Sequence, residues 1–396
     1  MSIREQRGVR RNPLQRFSFW LQDNFRAESI HFYRLVGITL FLVVFGLVMV
    51  LSSSSIDSLV ANRDAFYVFG RQFLYALIGI ALMITIAALP ISFIRKNIKL
   101  ALIVMMGIQL AVPFIGISVN GNTNWISIAG FTLQPSEFLK LALILYMAWF
   151  IASREQEIDI PNRVIYPMLG IGGVALALVM FGKDLGTAVI MAMIVFGILI
   201  IAEAPLKPLG QAFLAIAALG AIFTTTSASR MARISAWLNP DASAADAFSW
   251  QYEHGTWALA AGGIFGVGLG NSKMKWSWIP EVENDFIFAV IGEELGLIGA
   301  LVVIGMFGLL IATLIRIMLR TDSSFQRIAT SGVIIWILGQ GLVNIAVVLG
   351  LLPVLGVPLP LISAGGSSLI STLMAIGLIL AFEKDSHRRL YSGARR

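Results

Sequence analysis

Five carboxylates crowd the stretch "WSWIPEVENDFIFAVIGEELG" from Trp276 to Gly296: Glu281, Glu283, Asp285, Glu293 and Glu294. A carboxylate set among apolar and aromatic side chains loses hydration, its proton affinity rises, and it becomes a usable general base near neutral pH. Asp285, with Trp278, Ile279, Phe286 and Phe288 nearby in sequence, fits that description. It also stands at the entrance of an apolar helix, where the same side chain could serve as an N-cap. Glu283 reads as a solvated loop carboxylate. Glu293 and Glu294 fall at least two turns into the apolar run, so at least one is expected to face a polar interior and to partner a cation or hydroxyl.

Other polar groups recur at helical spacing. Glu137 and Lys140 are three apart in "LQPSEFLKLALILY" and share one face of a helix started by Pro135. They either pair at the membrane boundary or line a polar cavity open to the outer leaflet. Gln340 and Asn344 share a face and suit interhelical hydrogen bonds. Lys183 and Asp184 occupy a very short turn and read as a local ion pair. The segment "GGIFGVGLGNSK", 262 to 273, is glycine-dense, but no strand precedes it and no G-K-[ST] follows, which excludes a nucleotide loop. It reads as a tight re-entrant turn, or as backbone that approaches a lipid-linked phosphate.

The elements that must position these groups are membrane helices. Of 396 residues, 57% are hydrophobic and 13% charged, and the mean hydropathy is +0.83, far from soluble globular values. Cysteine is absent, which removes disulfides, thiolate metal sites and cysteine nucleophiles. A bilayer core takes about 20 apolar helical residues. Ten such stretches are expected, near 35–53, 72–92, 100–118, 136–152, 164–182, 186–203, 208–227, 285–315, 328–350 and 364–383. The fold class is therefore all-α, a polytopic membrane protein with a basic arm (1–34), a ten-helix domain (35–383) and a basic tail (384–396). An even number of spans puts both termini on one side, and the excess of Lys and Arg assigns that side to the cytoplasm. No cleaved signal peptide is expected. The connection of about 227–284, between the seventh and eighth spans, is long, aromatic and extracytoplasmic, and its Arg230, Arg233, Lys273 and Lys275 run against the charge bias. Something outside is expected to need cations.

The segments "NGNTNWISIAGFTLQPSEFLKLALILYMA", "KDLGTA", "ISAWLNP", "ALAAGGIFGVGLGNSK", "IPEVENDFIFAVIGEELGLIGA" and "NIAVVLGLLPVLGVPLPLISAGGSS" resemble, in order and spacing, those of the SEDS family (shape, elongation, division, sporulation). The resemblance covers about residues 35–383. It implies a ten-helix glycosyltransferase of the bacterial cytoplasmic membrane that polymerises lipid II into peptidoglycan beside a class B penicillin-binding protein and other division proteins, with no role for nucleic acid. It places the family's essential aspartate on Asp285, its Q-P-S-E-x-x-K pair on Glu137 and Lys140, and the glutamate of its P-E segment on Glu281. Lys273 and Lys275 fall in its glycine-rich segment and basic continuation. Four places depart from the pattern: Asn124 where arginine is usual, "GK" before Asp184 where Q-P is common, "YEHG" after Gln251, and Ala364 for an aromatic.

The implied reaction joins the 4-hydroxyl of an acceptor GlcNAc to the anomeric carbon of a donor MurNAc, with inversion, and expels undecaprenyl diphosphate. It needs a base for the hydroxyl proton and positive charge, from side chains or a divalent cation (Mg2+ or Mn2+), for the diphosphate. No organic cofactor is implied. Asp285 is expected as the base or as a metal ligand, and Lys140, Arg233, Lys273 and Lys275 as diphosphate contacts, with Glu137 and Glu281 beside the substrate. The wording of the acidic segment and the arginine-rich arm lean toward division over elongation. A transporter of lipid-linked sugar and a non-catalytic scaffold are the rivals from other classes.

Overall fold

A computed structural model describes residues 29–119, 122–128, 130–226, 228–238, 247–273 and 282–393. Eight of its helices are long and apolar enough to cross a membrane: α1 (Ile30–Asn62), α2 (Tyr67–Ala88), α3 (Ile91–Ile115), α4 (Pro135–Ala152), α7 (Leu206–Thr225), α10 (Ile287–Arg320), α11 (Ser324–Val348) and α12 (Gly366–Gly393). Two shorter apolar helices, α5 (Ile165–Phe181) and α6 (Leu185–Ile201), complete the ten expected stretches. At 17 residues each they reach about 25 Å, just under the hydrocarbon thickness. The protein is a polytopic all-α membrane protein. Helix ends differ from expectation mainly outward: α1 starts at Ile30 and α12 runs to Gly393.

Sequence punctuation sets the boundaries. Pro90 sits at the N-cap of α3 and Pro135 opens α4, where the missing N–H costs nothing. Asp184 caps α6 by accepting from the Thr187 amide at 3.0 Å. Helices α4, α11 and α12 form the interior, with 72%, 72% and 89% of their apolar windows buried, whereas α7 is 11% buried and lies at the periphery. The interior helices carry the polar side chains, since a polar group in lipid has no other partner.

Two departures from a purely helical reading shape one face of the bundle. Between α3 and α4, where an all-α reading holds no strand, stands a small antiparallel sheet, β1 (Ile117–Val119), β2 (Asn122–Ile128) and β3 (Phe131–Leu133), with Ile117 opposite Trp125 and Ile126 opposite Leu133. The long connection after α7 holds two helices, α8 (Ala228–Leu238) and α9 (Ala247–Gly262), neither long enough to span.

Helix α9 leads into the glycine-rich segment, which folds as a tight turn against a break in α10. Gly296 adopts φ +66° and ψ −166° inside α10, releasing the carbonyls of Glu293 and Glu294 to accept from the Val267 and Gly268 amides at 2.9 and 3.0 Å. Gly266, at φ +81°, is pressed there so closely that a Cβ would lie 2.1 Å from the Glu294 carbonyl oxygen. The carboxylates complete the clamp. Glu293 accepts from the Lys273 amide and the Ser272 hydroxyl, and Glu294 from the Ser52 hydroxyl of α1 at 2.7 Å. Both therefore satisfy hydroxyls and amides in the interior, as expected.

Residues 350–365, between α11 and α12, are non-helical yet largely buried, with Leu359, Leu361 and Ile362 sealed from solvent. Irregular backbone survives at membrane depth only where protein satisfies it. Here Gln340 donates to the Pro358 carbonyl and Asn344 to that of Val357, at 2.9 and 2.8 Å, and Gln72 donates to Ser363 at 3.0 Å.

Candidate active site

One face of the bundle encloses a cavity of about 740 Å³ walled by parts of the chain far apart in sequence: the N-terminal end of α2, the sheet, the α5–α6 turn, α8, the residues before α10 and the buried 350–365 segment. Its polar wall holds three acids, Asp184, Glu283 and Asp285, and four cations, Arg71, Lys183, Arg230 and Arg233.

Asp285 is placed by three contacts. Its carbonyl accepts from Asn344 of α11 at 2.8 Å, and the same amide group binds Val357, so one side chain ties the acidic segment to the buried segment. Two residues earlier, the Glu283 carbonyl accepts from the Ala364 amide at 2.9 Å. The carboxylate then lies over Gly356, where a Cβ would stand 3.5 Å from Oδ2, and Gly356 is itself at φ +71°. The N-cap of α10 is Phe286, with no side-chain cap bond, so Asp285 sits one residue outside the cap and is not held there as a capping group. Phe286 and Phe288 are buried beside it. The side chain is half-buried and faces the cavity.

Cations face the same cavity from α8. Arg230 and Arg233 are three apart and both reach the cavity. Burial pulls the Arg233 guanidinium below its ordinary proton affinity, and the negative charges of Asp285 and then Asp184 oppose that pull. Arg230 is also drawn down, by burial and then by Arg233, the signature of two cations held close together. Neither approaches neutrality near pH 7, so both present positive charge. Trp237 fixes the far end of α8 by donating to the Gly350 carbonyl at 3.0 Å.

The opposite wall is built around Asp184. Its carboxylate accepts from Thr187 N and Oγ1, from Asn124 at 3.0 Å and from Gln134 at 2.8 Å. The expected Lys183–Asp184 pair is not formed; these neutral donors from the sheet and α6 take the carboxylate instead. Gly186 permits this wall to close, since a Cβ there would lie 2.3 Å from the Leu355 carbonyl oxygen.

Of the residues anticipated from sequence, the cavity unites Asp285 and Arg233. Glu137 and Lys140 lie elsewhere. Lys140 is 1% exposed and Glu137 2%, in a 2.7 Å ion pair beneath the site, where Lys140 also donates to Gln340 at 2.9 Å and faces the Trp336 ring at 4.7 Å. Ser371 donates to the second Glu137 oxygen at 3.2 Å. Lys273 is exposed at the end of the glycine turn and is not among the cavity's walls. Lys275 and Glu281 lie outside the described residues. Glu283, expected in solvent, is half-buried and lines the cavity. Arg71 and Gln134 were missed. Arg71 donates to Thr132 at 3.2 Å, and no local spacing in the sequence joins it to the acids opposite.

The acids do not converge as a metal-binding set. Among the described residues no group of three or more His, Asp or Glu side chains is placed to hold an ion, and the Asp184 carboxylate is already occupied by four donors. The positive charge these walls present comes from guanidinium and ammonium groups.

Comparison with known proteins agrees with this architecture. The FtsW, RodA and SpoVE family, described as cell cycle proteins, matches residues 33–388. A protein of Mycobacterium tuberculosis named probable peptidoglycan glycosyltransferase FtsW is 38% identical over 369 residues, 93% of this chain and 70% of that protein. Stage V sporulation protein E of Bacillus subtilis is 36% identical, over 89% of this chain and 96% of that one. Among solved structures, a chain from a peptidoglycan synthase complex that coordinates polymerization and crosslinking superposes with a TM-score of 0.76 at 25% identity, covering 92% of this chain and all of that one. The rod shape determining protein RodA of Thermus thermophilus shares the fold at a TM-score of 0.68 and 24% identity, over 92% and 99% of the two chains. With eight helices long and apolar enough to cross a membrane among the described residues, two shorter apolar ones, a cavity with Asp285 at its wall and a match spanning residues 33–388, this chain belongs to the SEDS family, the FtsW, RodA and SpoVE cell cycle proteins.

Proposed function

We propose that this chain is a peptidoglycan glycosyltransferase that polymerises lipid II at the outer face of the cytoplasmic membrane, in the service of division. The observation that carries the reading is Asp285: a carboxylate outside the helix cap, poised over Gly356 and facing a cavity whose other charged groups are mainly cations. Relatives named as probable peptidoglycan glycosyltransferases, 36 to 38% identical, support the activity and favour the division branch over elongation.

In the proposed reaction the acceptor 4-hydroxyl attacks the anomeric carbon while its proton passes to Asp285. The bond from that carbon to the diphosphate breaks, and undecaprenyl diphosphate leaves with the electron pair. Arg233 and Arg230, on the same wall, stabilise the charge that builds on the leaving group. Gly356 lets the carboxylate approach without a side chain in the way, and Asn344 holds the backbone from which it projects. A class B penicillin-binding protein is the proposed partner, in keeping with the synthase complex that the fold resembles. Both termini are proposed to be cytoplasmic, which puts the cavity outside.

The test is polymerisation of purified lipid II by the purified chain, alone and with its transpeptidase partner, read as glycan strands on a gel. Strands are expected. A well-folded preparation that binds the partner yet makes none under either condition, while a cysteine introduced at Asp64 is labelled from outside the cell, would leave the scaffold as the better reading.

A further inference from the structure

The turn between α5 and α6 holds a lysine in a conformation that a side chain resists. Lys183 has φ +66°, in the left-handed region where a Cβ crowds the backbone. The surroundings impose it. The Lys183 amide donates to Met180 at 2.9 Å, the preceding Gly182 carbonyl accepts from Thr123 of β2 at 3.0 Å, and Asp184 is gripped from three elements. Clamped between the sheet and the buried 350–365 segment, the turn presents Lys183 as an exposed residue at the cavity wall.

The other three cations of the cavity each have a partner within the protein. Arg71 donates to Thr132 and Tyr75, Arg230 to the Phe223 carbonyl, and Arg233 lies in the field of Asp285 and Asp184. The Lys183 ammonium makes no hydrogen bond or ion pair with any described residue, and the acid next to it in sequence has its donors elsewhere. Two departures from the family pattern also meet here. Neutral Asn124 stands where an arginine is usual, and the lysine enters on the adjoining turn, one backbone hydrogen bond away.

We propose that Lys183 is a substrate-binding residue of this chain, contacting the diphosphate of the lipid-linked saccharide. The inference rests on the proposed polymerase function. An ammonium on a flexible stem acts as a point charge toward phosphate. The diphosphate joins the lipid to the sugar, so in a cavity at the membrane boundary it must pass the level of this wall.

The experiment compares wild type with Lys183→Gly and Lys183→Arg in the full chain with its partner, using two substrates: lipid II with its peptide and the corresponding peptide-free saccharide lipid. Lys183→Gly removes the charge and suits the left-handed backbone, so thermal stability should hold or rise. KM should nevertheless increase about tenfold for both substrates with kcat little changed, the size expected for one partly screened charge-assisted contact. Lys183→Arg should recover most of that loss. An unchanged KM in the glycine variant overturns the inference, as does a loss confined to the peptide-bearing substrate, which would assign the lysine to a peptide carboxylate. Wild-type protein that polymerises neither substrate refutes the polymerase reading itself, a different outcome from a silent variant.

Discussion

Two pairings of acid with base among the described residues are built in opposite ways. Beneath the cavity, Glu137 and Lys140 are sealed: the ammonium meets Glu137, Gln340 and the Trp336 ring, and the second carboxylate oxygen meets Ser371. At the cavity wall, Asp285 and Arg233 sense each other's charge but stay half-buried, with open volume in front of them. A sealed pair has its hydrogen-bonding capacity used by protein and can do little but hold helices together. An open pair keeps capacity for a substrate. The two kinds of charge can be told apart by what surrounds them, not by their residue types.

The largest effect should come from Asp285→Asn. It preserves size and the backbone carbonyl that Asn344 binds, and removes only the proton acceptor and charge. Polymerisation should fall by roughly two to four orders of magnitude, the usual worth of a general base, with folding and partner binding intact. Near-normal strand synthesis would erase the distinction between the two pairs and favour the scaffold.

Lys140→Met should act through stability instead. Leaving Glu137 buried without its cation is expected to cost about 3 to 5 kcal/mol, read as a lowered Tm in detergent, and adding Glu137→Gln should recover much of it. If Lys140 instead touches the diphosphate, the double variant would be stable but would show a raised KM.

A smaller effect is expected at the link between the layers. Asn344→Leu removes donors to the Asp285 and Val357 carbonyls, costing about 1 to 3 kcal/mol for the buried acceptors left without them. The rate should drop through kcat, because Asn344 positions the base without touching substrate. Loss of stability with kcat unchanged would show that the base does not depend on this anchor.

Sequence revealed the spans because each is long, apolar and bounded by proline, glycine or charge, signals confined to one helix. The pairing of Glu137 with Lys140 was legible for the same reason, being three residues apart. That the pair is sealed was not, since Trp336, Gln340 and Ser371 come from α11 and α12, some two hundred residues away. Asp285 could be singled out by its helix entrance and by resemblance, but the cavity in front of it is built by segments from α2 to α12 that share no spacing. The sheet escaped although its cues were present: the Asn-Gly dipeptide at 120–121 and the alternating "NTNWISI" that follows are hairpin signals, masked by the apolar runs on either side.

The placement of Glu137 and Lys140 on one helix also bears on how the chain is made. A charge entering the bilayer alone costs up to about 2.5 to 3.5 kcal/mol at the middle of a span, and less toward the helix end where these two lie. Because the two lie a single turn apart, they can neutralise each other as soon as α4 coils, before any neighbouring helix has arrived. Gln340, two hundred residues downstream, docks onto a pair that already exists. Were the lysine's partner on α11, the nascent fourth helix would have to wait in lipid with a bare charge until the ninth was synthesised. Insertion of this segment is thereby made independent of the order in which the rest of the bundle assembles.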